Sequence, residues 1–301
     1  MYSVIAYFDN NIYNYLVDPA RPEFQHVSAL VEAAKSDKLQ VLFSPVNLTE
    51  MARCFESKPE KARKMVDLSL QLADRVAVLP AEVVSAQVRA FVNGRPPDIN
   101  DLWPQQPSMF DQVRTGIVGN NPYTLPDEFH ASVSQFDVGY VDELKKMVVL
   151  VDALVEEAET DSTVAASAAP PPGQKVDLYA VLNKEPVQRK KMLQDVIKAW
   201  CGMEVELPAN ASFDSIPCLS VFLRYHLGFA RELIVAGKSP KSGDWADRDQ
   251  TLYFSYADFV VTSDTGGGGV FPNYREIVDK ALRPMGHAAV KFSTFVAKLS
   301  Q

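Results

Sequence analysis

Short unbroken apolar runs alternate along this chain with longer stretches in which apolar residues recur every three or four positions. Val4 to Phe8 is the first run, and its length suits a buried strand better than a helix. Leu39–Phe43, Val76–Leu79, Phe259–Thr262 and Ala288–Phe292 repeat the pattern, giving five predicted strands. Helical spacing predicts a helix over 22–35, with Ala29, Leu30, Ala33 and Ala34 on its apolar face, and two more over 47–55 and 59–73. Asn47 is the expected N-cap of the second, with Glu50 three residues on as its capping-box partner. Strands alternating with helices imply an α/β fold around a mostly parallel sheet covered on both faces. Such sheets bind their ligands beyond the carboxyl ends of the strands.

The middle of the chain reads differently. Residues 81–92 are patterned as a helix, whereas 94–126 carry Pro96, Pro97, Pro104, Pro107, Pro122 and Pro126 and read as irregular. A long helix is predicted over 127–159, and 161–173 are rich in Ala, Ser and Pro, the composition of a mobile linker. Further helices are expected over 186–201 and 216–236. The expected organisation is therefore an α/β core made from residues 1–80 and 210–301, interrupted by a mainly helical insertion over 81–209.

Composition narrows the function classes. Acids outnumber bases by 38 to 30 and the net charge is -8, which argues against a protein that coats DNA by bulk charge. Three cysteines, Cys54, Cys201 and Cys218, lack zinc-ligand spacing and suit a reducing compartment. No apolar run reaches the roughly 18 residues of a membrane span, and Asp9 interrupts the first run too early for a signal peptide. A soluble, cytoplasmic protein is the expectation, with no membrane partner.

The acids carry the chemistry. Asp9 ends the first strand, Glu50 follows the second, Asp244 and Asp247 lie three residues apart in Gly243-Asp244-Trp245-Ala246-Asp247, and Asp264 closes the run Phe259 to Ser263. Carboxylates gathered at one place repel each other unless a hard divalent cation sits among them. Each acid also has an ordinary explanation. A strand-end aspartate caps a turn or helix, Glu50 completes a capping box, and Asp244 caps a solvated helix. Asp249, five residues after Asp244, points away from the face shared by Asp244 and Asp247.

In order, spacing and strand context these positions resemble the PIN-domain nucleases. The motifs are Phe8-Asp9-Asn10-Asn11, the helix-opening Glu50 after Ser44-Pro45-Val46-Asn47, Asp247 with Asp244 as neighbour or substitute, and Thr262-Ser263-Asp264. The resemblance covers 1–80 and 210–301 and leaves the middle out. It implies a PIN-like α/β/α sandwich with a five-stranded parallel sheet and hydrolysis of phosphodiesters, commonly RNA, with Mg²⁺ or Mn²⁺. It further implies Asp9 and Asp264 as principal metal ligands, and Asp247 or Asp244 as the third. Glu50 would bind through water or help deprotonate the nucleophile, and Asn11 and Thr262 would support the ligands by hydrogen bonds. Carboxylate oxygens suit both metals.

Substrate contacts are less defined. Arg53, Lys58 and Lys61 follow Glu50, and Arg189, Lys190 and Lys191 form a second basic group; either group could track phosphates, against the commoner role of a solvated helix face. Tyr13, Tyr15, Phe222, Tyr225 and Phe229 are candidates for base stacking, with the helical spacing of the last three favouring core packing. Two other functions compete with an endoribonuclease. One is a PIN-like module that binds RNA or protein with a degenerate site. The other is a haloacid-dehalogenase-type phosphatase, which expects an aspartate where Asn11 stands. If the nuclease is a toxin, its partner is an antitoxin.

Overall fold

Four strands form one sheet in the computed structural model, which describes residues 3–104, 106–119, 123–129, 149, 179, 182, 186–237, 244–263 and 274–300. They are β1 (Val4–Phe8), β2 (Leu39–Leu42), β3 (Phe259–Val261) and β4 (Ala288–Val290), in the order β2-β1-β3-β4. Every pairing is parallel, with Val4 opposite Leu39, Ala6 opposite Phe259 and Phe259 opposite Ala288. The chain therefore leaves β1 for β2 on one side, and its C-terminal part returns to β1 on the other. The carboxyl ends of β1 and β3 sit where the strand order reverses, the usual crevice of an open α/β sheet.

The period of two in each strand sends alternate side chains to opposite layers. Ala6, Phe8, Val41 and Val261 enter one apolar cluster with α1 (Asn10–Leu16), α2 (Val27–Lys35), α4 (Pro59–Leu72) and α11 (Phe292–Leu299). Tyr7, Leu42, Val260 and Ala289 enter the other with α8 (Pro217–Ala236) and α10 (Tyr274–Leu282). Helices from the middle of the chain join this second cluster: Val83, Val84 and Val88 of α5 (Pro80–Val92), and Leu193 and Ile197 of α7 (Pro186–Cys201). The apolar run of each strand is thus explained by burial on both faces.

Several expectations change. The predicted strand over Val76–Leu79 is not a strand. Ala77 N–H donates to Phe43 O at 2.8 Å, but both backbone groups of Val78 are taken elsewhere. Its N–H donates to Leu102 O at 2.8 Å, and its carbonyl accepts from the Tyr253 hydroxyl at 2.7 Å. On the edge facing β2 the next donor, Leu79 N–H, goes to Glu82 Oε2 at 2.9 Å, and Pro45, two residues past Phe43, has no N–H to offer, so the ladder stops after one bond and four strands stand among the described residues in place of five.

The helix predicted over 22–35 opens with a 3₁₀ turn, Pro22–His26, before α2 begins. Within the proline-rich stretch, α6 (Met109–Gly119) forms where an irregular segment was expected. Ser108 and Asp111 cap it: Ser108 N–H donates to Asp111 Oδ2 at 3.0 Å, and Asp111 N–H to Ser108 Oγ at 3.3 Å. Phe110, Val113 and Ile117 then bury its inner face. Most of the predicted 127–159 helix, and the whole 161–173 linker, lie outside the described residues. None of the helices searched is long and apolar enough to cross a membrane. All three cysteines are free.

Candidate functional site

Asp9 lies just past β1, and the sheet holds its backbone: Asp9 N–H donates to Val261 O at 3.0 Å. Its side chain caps α1, Oδ1 accepting from Asn10 N–H at 2.6 Å, so the ordinary capping role is real. Capping does not exhaust it. Oδ2 accepts from Asn11 Nδ2 at 2.8 Å and from the Thr262 hydroxyl at 2.8 Å. Asp9 is 7% exposed and Thr262 is fully buried at the end of β3. Three donors on one carboxylate match the acceptor-only valence of its ionised form. Asn11 also reaches across the sheet end, its Oδ1 accepting from Ser263 N–H at 3.4 Å. Asn11 and Thr262 therefore both act through Asp9, one from each side of the β1–β3 seam.

Glu50 stands on α3 (Pro45–Ser57), whose N-cap is Ser44, three residues earlier than expected. Ser44 Oγ accepts from Asn47 N–H at 3.2 Å, and Ser44 N–H donates to Asn47 Oδ1 at 3.0 Å. Asn47 thus occupies the capping-box position that was assigned to Glu50. Its Nδ2 also donates to Phe8 O at 3.1 Å, fastening the start of α3 to the carboxyl end of β1. The Tyr7 hydroxyl, paired with Ser44 Oγ at 2.8 Å, supports the same junction from below. Glu50 is one turn further on and plays no part in the cap.

Its Oε2 is inaccessible to solvent and has no hydrogen-bond partner. Burial, reinforced by the Asp9 charge and partly offset by Arg53, pushes the Glu50 carboxyl up to about 8. A buried carboxylate oxygen without a partner is an expensive group that needs a proton or a cation. Asn10 Oδ1 and the Tyr274 hydroxyl are also buried without a partner, but neither carries a charge to be balanced.

Asp247 is half-buried on the short helix α9 (Asp244–Gln250). Its charge and that of Asp9 both act on the Tyr274 hydroxyl, which burial first of all holds well above the usual phenol range. Asp249 is buried and forms an ion pair with Arg248 at 2.6 Å, which removes it from consideration. The Asp244 side chain and all of Asp264 lie outside the described residues, as does the Gly266–Gly269 run. Within what is described, no group of three or more His, Cys, Asp or Glu side chains is arranged to hold a metal ion. The structure does bring together Asp9, Glu50, Asn11 and Thr262, with Asp247 sharing Tyr274 as a neighbour.

The basic residues do not form one track. Lys58 is exposed between α3 and α4, and Lys61 is partly buried on α4, which packs on one face of the sheet. Arg53 lies one turn past Glu50 on α3. Arg189, Lys190 and Lys191 belong to α7, on the other face, and Arg189 Nε donates to Ala211 O at 3.1 Å. Phe222, Tyr225 and Phe229 are core residues, at 8%, 1% and 6% exposure, and Tyr13 is fully buried; none of these four offers a face for stacking on a base.

Ser44 escaped the sequence reading, although a capping pair directly after a strand was a visible signal; Asn47 was read as the N-cap and is instead its capping-box partner. A cavity of about 360 Å³ opens from Ser263 along the end of β4, lined by Pro22, His26, Lys291 and Phe292. Comparison of the chain with protein-family models, with curated proteins and with solved structures finds no match.

Proposed function

We propose that this chain is a metal-dependent phosphodiesterase, an endoribonuclease of the PIN-like kind, working at the carboxyl ends of β1 and β3. The reading is supported above all by Glu50 Oε2, buried and without a partner close to the Asp9 charge. A PIN-like core is part of the same proposal, with the extended segment Val76–Leu79, bonded once to Phe43, standing where a fifth strand would lie.

The residues present fit a hard divalent cation. Mg²⁺ is commonly bound by one or two carboxylates together with waters and substrate phosphates. Asp9 and Glu50 supply two acids, and Asp247 and Asp264 are the further candidates. When bound, Mg²⁺ or Mn²⁺ would polarise the phosphate and lower the pKa of a coordinated water. The chain's own groups have separate tasks. Asn10, Asn11 and Thr262 fix the Asp9 carboxylate by three hydrogen bonds. Ser44 and Asn47 fix the start of the Glu50 helix against β1. Glu50, once a bound cation had drawn off its own proton, would accept one from a water at the site.

The test is cleavage of single-stranded RNA in Mn²⁺. Asp9→Asn and Asp264→Asn should each abolish it, with circular dichroism showing the fold retained. Undiminished cleavage in both variants refutes the assignment. Wild-type protein that binds RNA yet neither binds Mn²⁺ nor cuts would make the chain a binding module instead.

A further inference from the structure

The carboxyl end of the sheet continues past Asp9 into the cavity of about 360 Å³ beside β4. Hydrogen bonds join the two. Thr262, whose hydroxyl donates to Asp9 Oδ2 at 2.8 Å, also donates its N–H to Val290 O at 3.1 Å, and Lys291 is the next residue of the chain. Ser263, which lines the cavity, donates its N–H to Asn11 Oδ1 at 3.4 Å. The other walls are the start of α11 and the 3₁₀ turn Pro22–His26, a turn that packs on both α1 and α11.

These walls carry groups suited to a phosphate. Lys291 is exposed and has no ion-pair partner among the described residues, and Ser263 and Ser293 stand beside it with their hydroxyls. Glu23 is an opposing charge on the wall, and no ion pair joins it to Lys291. Next to the cavity, Arg21 precedes Pro22, and its guanidinium lies 4.6 Å over the ring of Tyr15. Tyr15 is one turn along α1 from Asn11, on the same face. A volume of about 360 Å³ is at the lower end of ligand pockets, which span about 300–1,000 Å³. It suits one nucleotide unit of a single strand and excludes a duplex. Lysine and hydroxyl groups position nucleic-acid phosphates, and a guanidinium plane stacks on an unpaired base. We propose that this cavity receives the phosphate next to the one that is cut, held by Lys291 and Ser293, and that Arg21 on Tyr15 is the platform for the adjoining base of a single-stranded RNA. The proposal rests on the ribonuclease reading given above.

The test is fluorescence anisotropy of a short, labelled single-stranded RNA of mixed sequence, in chelator so that the RNA stays whole. Lys291→Gln should bind it about 10-fold more weakly and lower the slope of log affinity against log salt by about 0.7, the share of one phosphate contact on a single strand. Arg21→Gln should add a further loss in that background. Glu23→Gln, which removes the opposing charge, should tighten binding. Lys298→Gln removes the same charge as Lys291→Gln from the far end of α11, where the ammonium lies 4.9 Å over the Phe259 ring, and should leave affinity unchanged. Full affinity in Lys291→Gln, or an equal loss in Lys298→Gln, overturns the proposal. Wild-type cleavage of RNA in Mn²⁺ together with full affinity in Lys291→Gln is a failure of this subsite alone. RNA held through Lys291 but never cut is a failure of the nuclease reading, and leaves the cavity as an RNA-binding site. Wild-type protein that binds no RNA overturns both.

Discussion

Glu50→Gln is the substitution whose consequence can be worked furthest from the geometry. The wild-type carboxyl is raised from 4.5 to about 8 in the folded protein, first by burial and then by the charge of Asp9. Between those values the native state keeps a proton that the unfolded chain has released. The unfolded state then binds fewer protons, so stability falls as pH rises from about 4.5 through about 8 and levels off above. Each unit of pKa difference corresponds to about 1.4 kcal/mol, giving a ceiling of about 5 kcal/mol for the whole interval. At about 2 °C per kcal/mol for a chain of this size, the ceiling corresponds to about 10 °C in Tm. Glutamine has nearly the same shape and does not titrate. Glu50→Gln should match the wild type near pH 4.5 and exceed it progressively towards pH 9, in chelator-treated protein. Thermal or urea unfolding at unit steps of pH measures the difference directly. Asp9→Asn, which removes the second cause, should bring the folded-state value down, so the decline ends at a lower pH and is smaller. Unfolding curves for wild type and Glu50→Gln that stay parallel from pH 5 to 9 would show that Glu50 is not buried as described.

Two further substitutions probe the frame of the site. Asn47→Ala leaves Ser44 N–H and Phe8 O without their partner and should cost about 2–4 kcal/mol by urea denaturation; a loss below 0.5 kcal/mol, on the order of an exposed surface change, would mean the junction of α3 with β1 is not held as described. Gln250 is fully buried with neither amide atom hydrogen-bonded, so Gln250→Met should raise stability by about 1–3 kcal/mol, and a fall in Tm would show that the amide has a partner.

The legible parts of this chain were those set by local pattern. β1 and β3 were readable because burial on both faces makes a strand uniformly apolar. Asp9 and Thr262 were readable because each sits at the end of such a run. Glu50 lies on the helix after β2 as expected but takes no part in its cap, since a capping box can be drawn through either Ser44 or Asn47 and only the fold selects Ser44. Val76–Leu79 has the composition of a strand, and its ladder with β2 stops because Pro45 has no N–H and Leu79 N–H goes to Glu82, a competition set only where the two segments meet. Nothing local announces such competitors. The helix at 109–119 was legible in principle from Ser108 and Asp111, but the surrounding prolines concealed it.

The seam between β1 and β3 has a consequence for how the molecule is made. Thr262 reaches Asp9 across 253 positions of sequence, and β1 occupies an interior place in the sheet that only β3 can close. During synthesis, β1 emerges well before β3 and can pair with β2 almost at once. Its other edge stays open until the 253 positions between Asp9 and Thr262 have been made. Contacts of such long sequence separation form slowly, because the loop must close before it is rewarded. The nascent protein therefore carries an unpaired, strongly apolar strand edge through most of its synthesis, a template for mispairing with other chains. The Thr262 hydrogen bond to Asp9 forms in the same late event, so the Asp9 carboxylate lacks one of its three donors until β3 is in place.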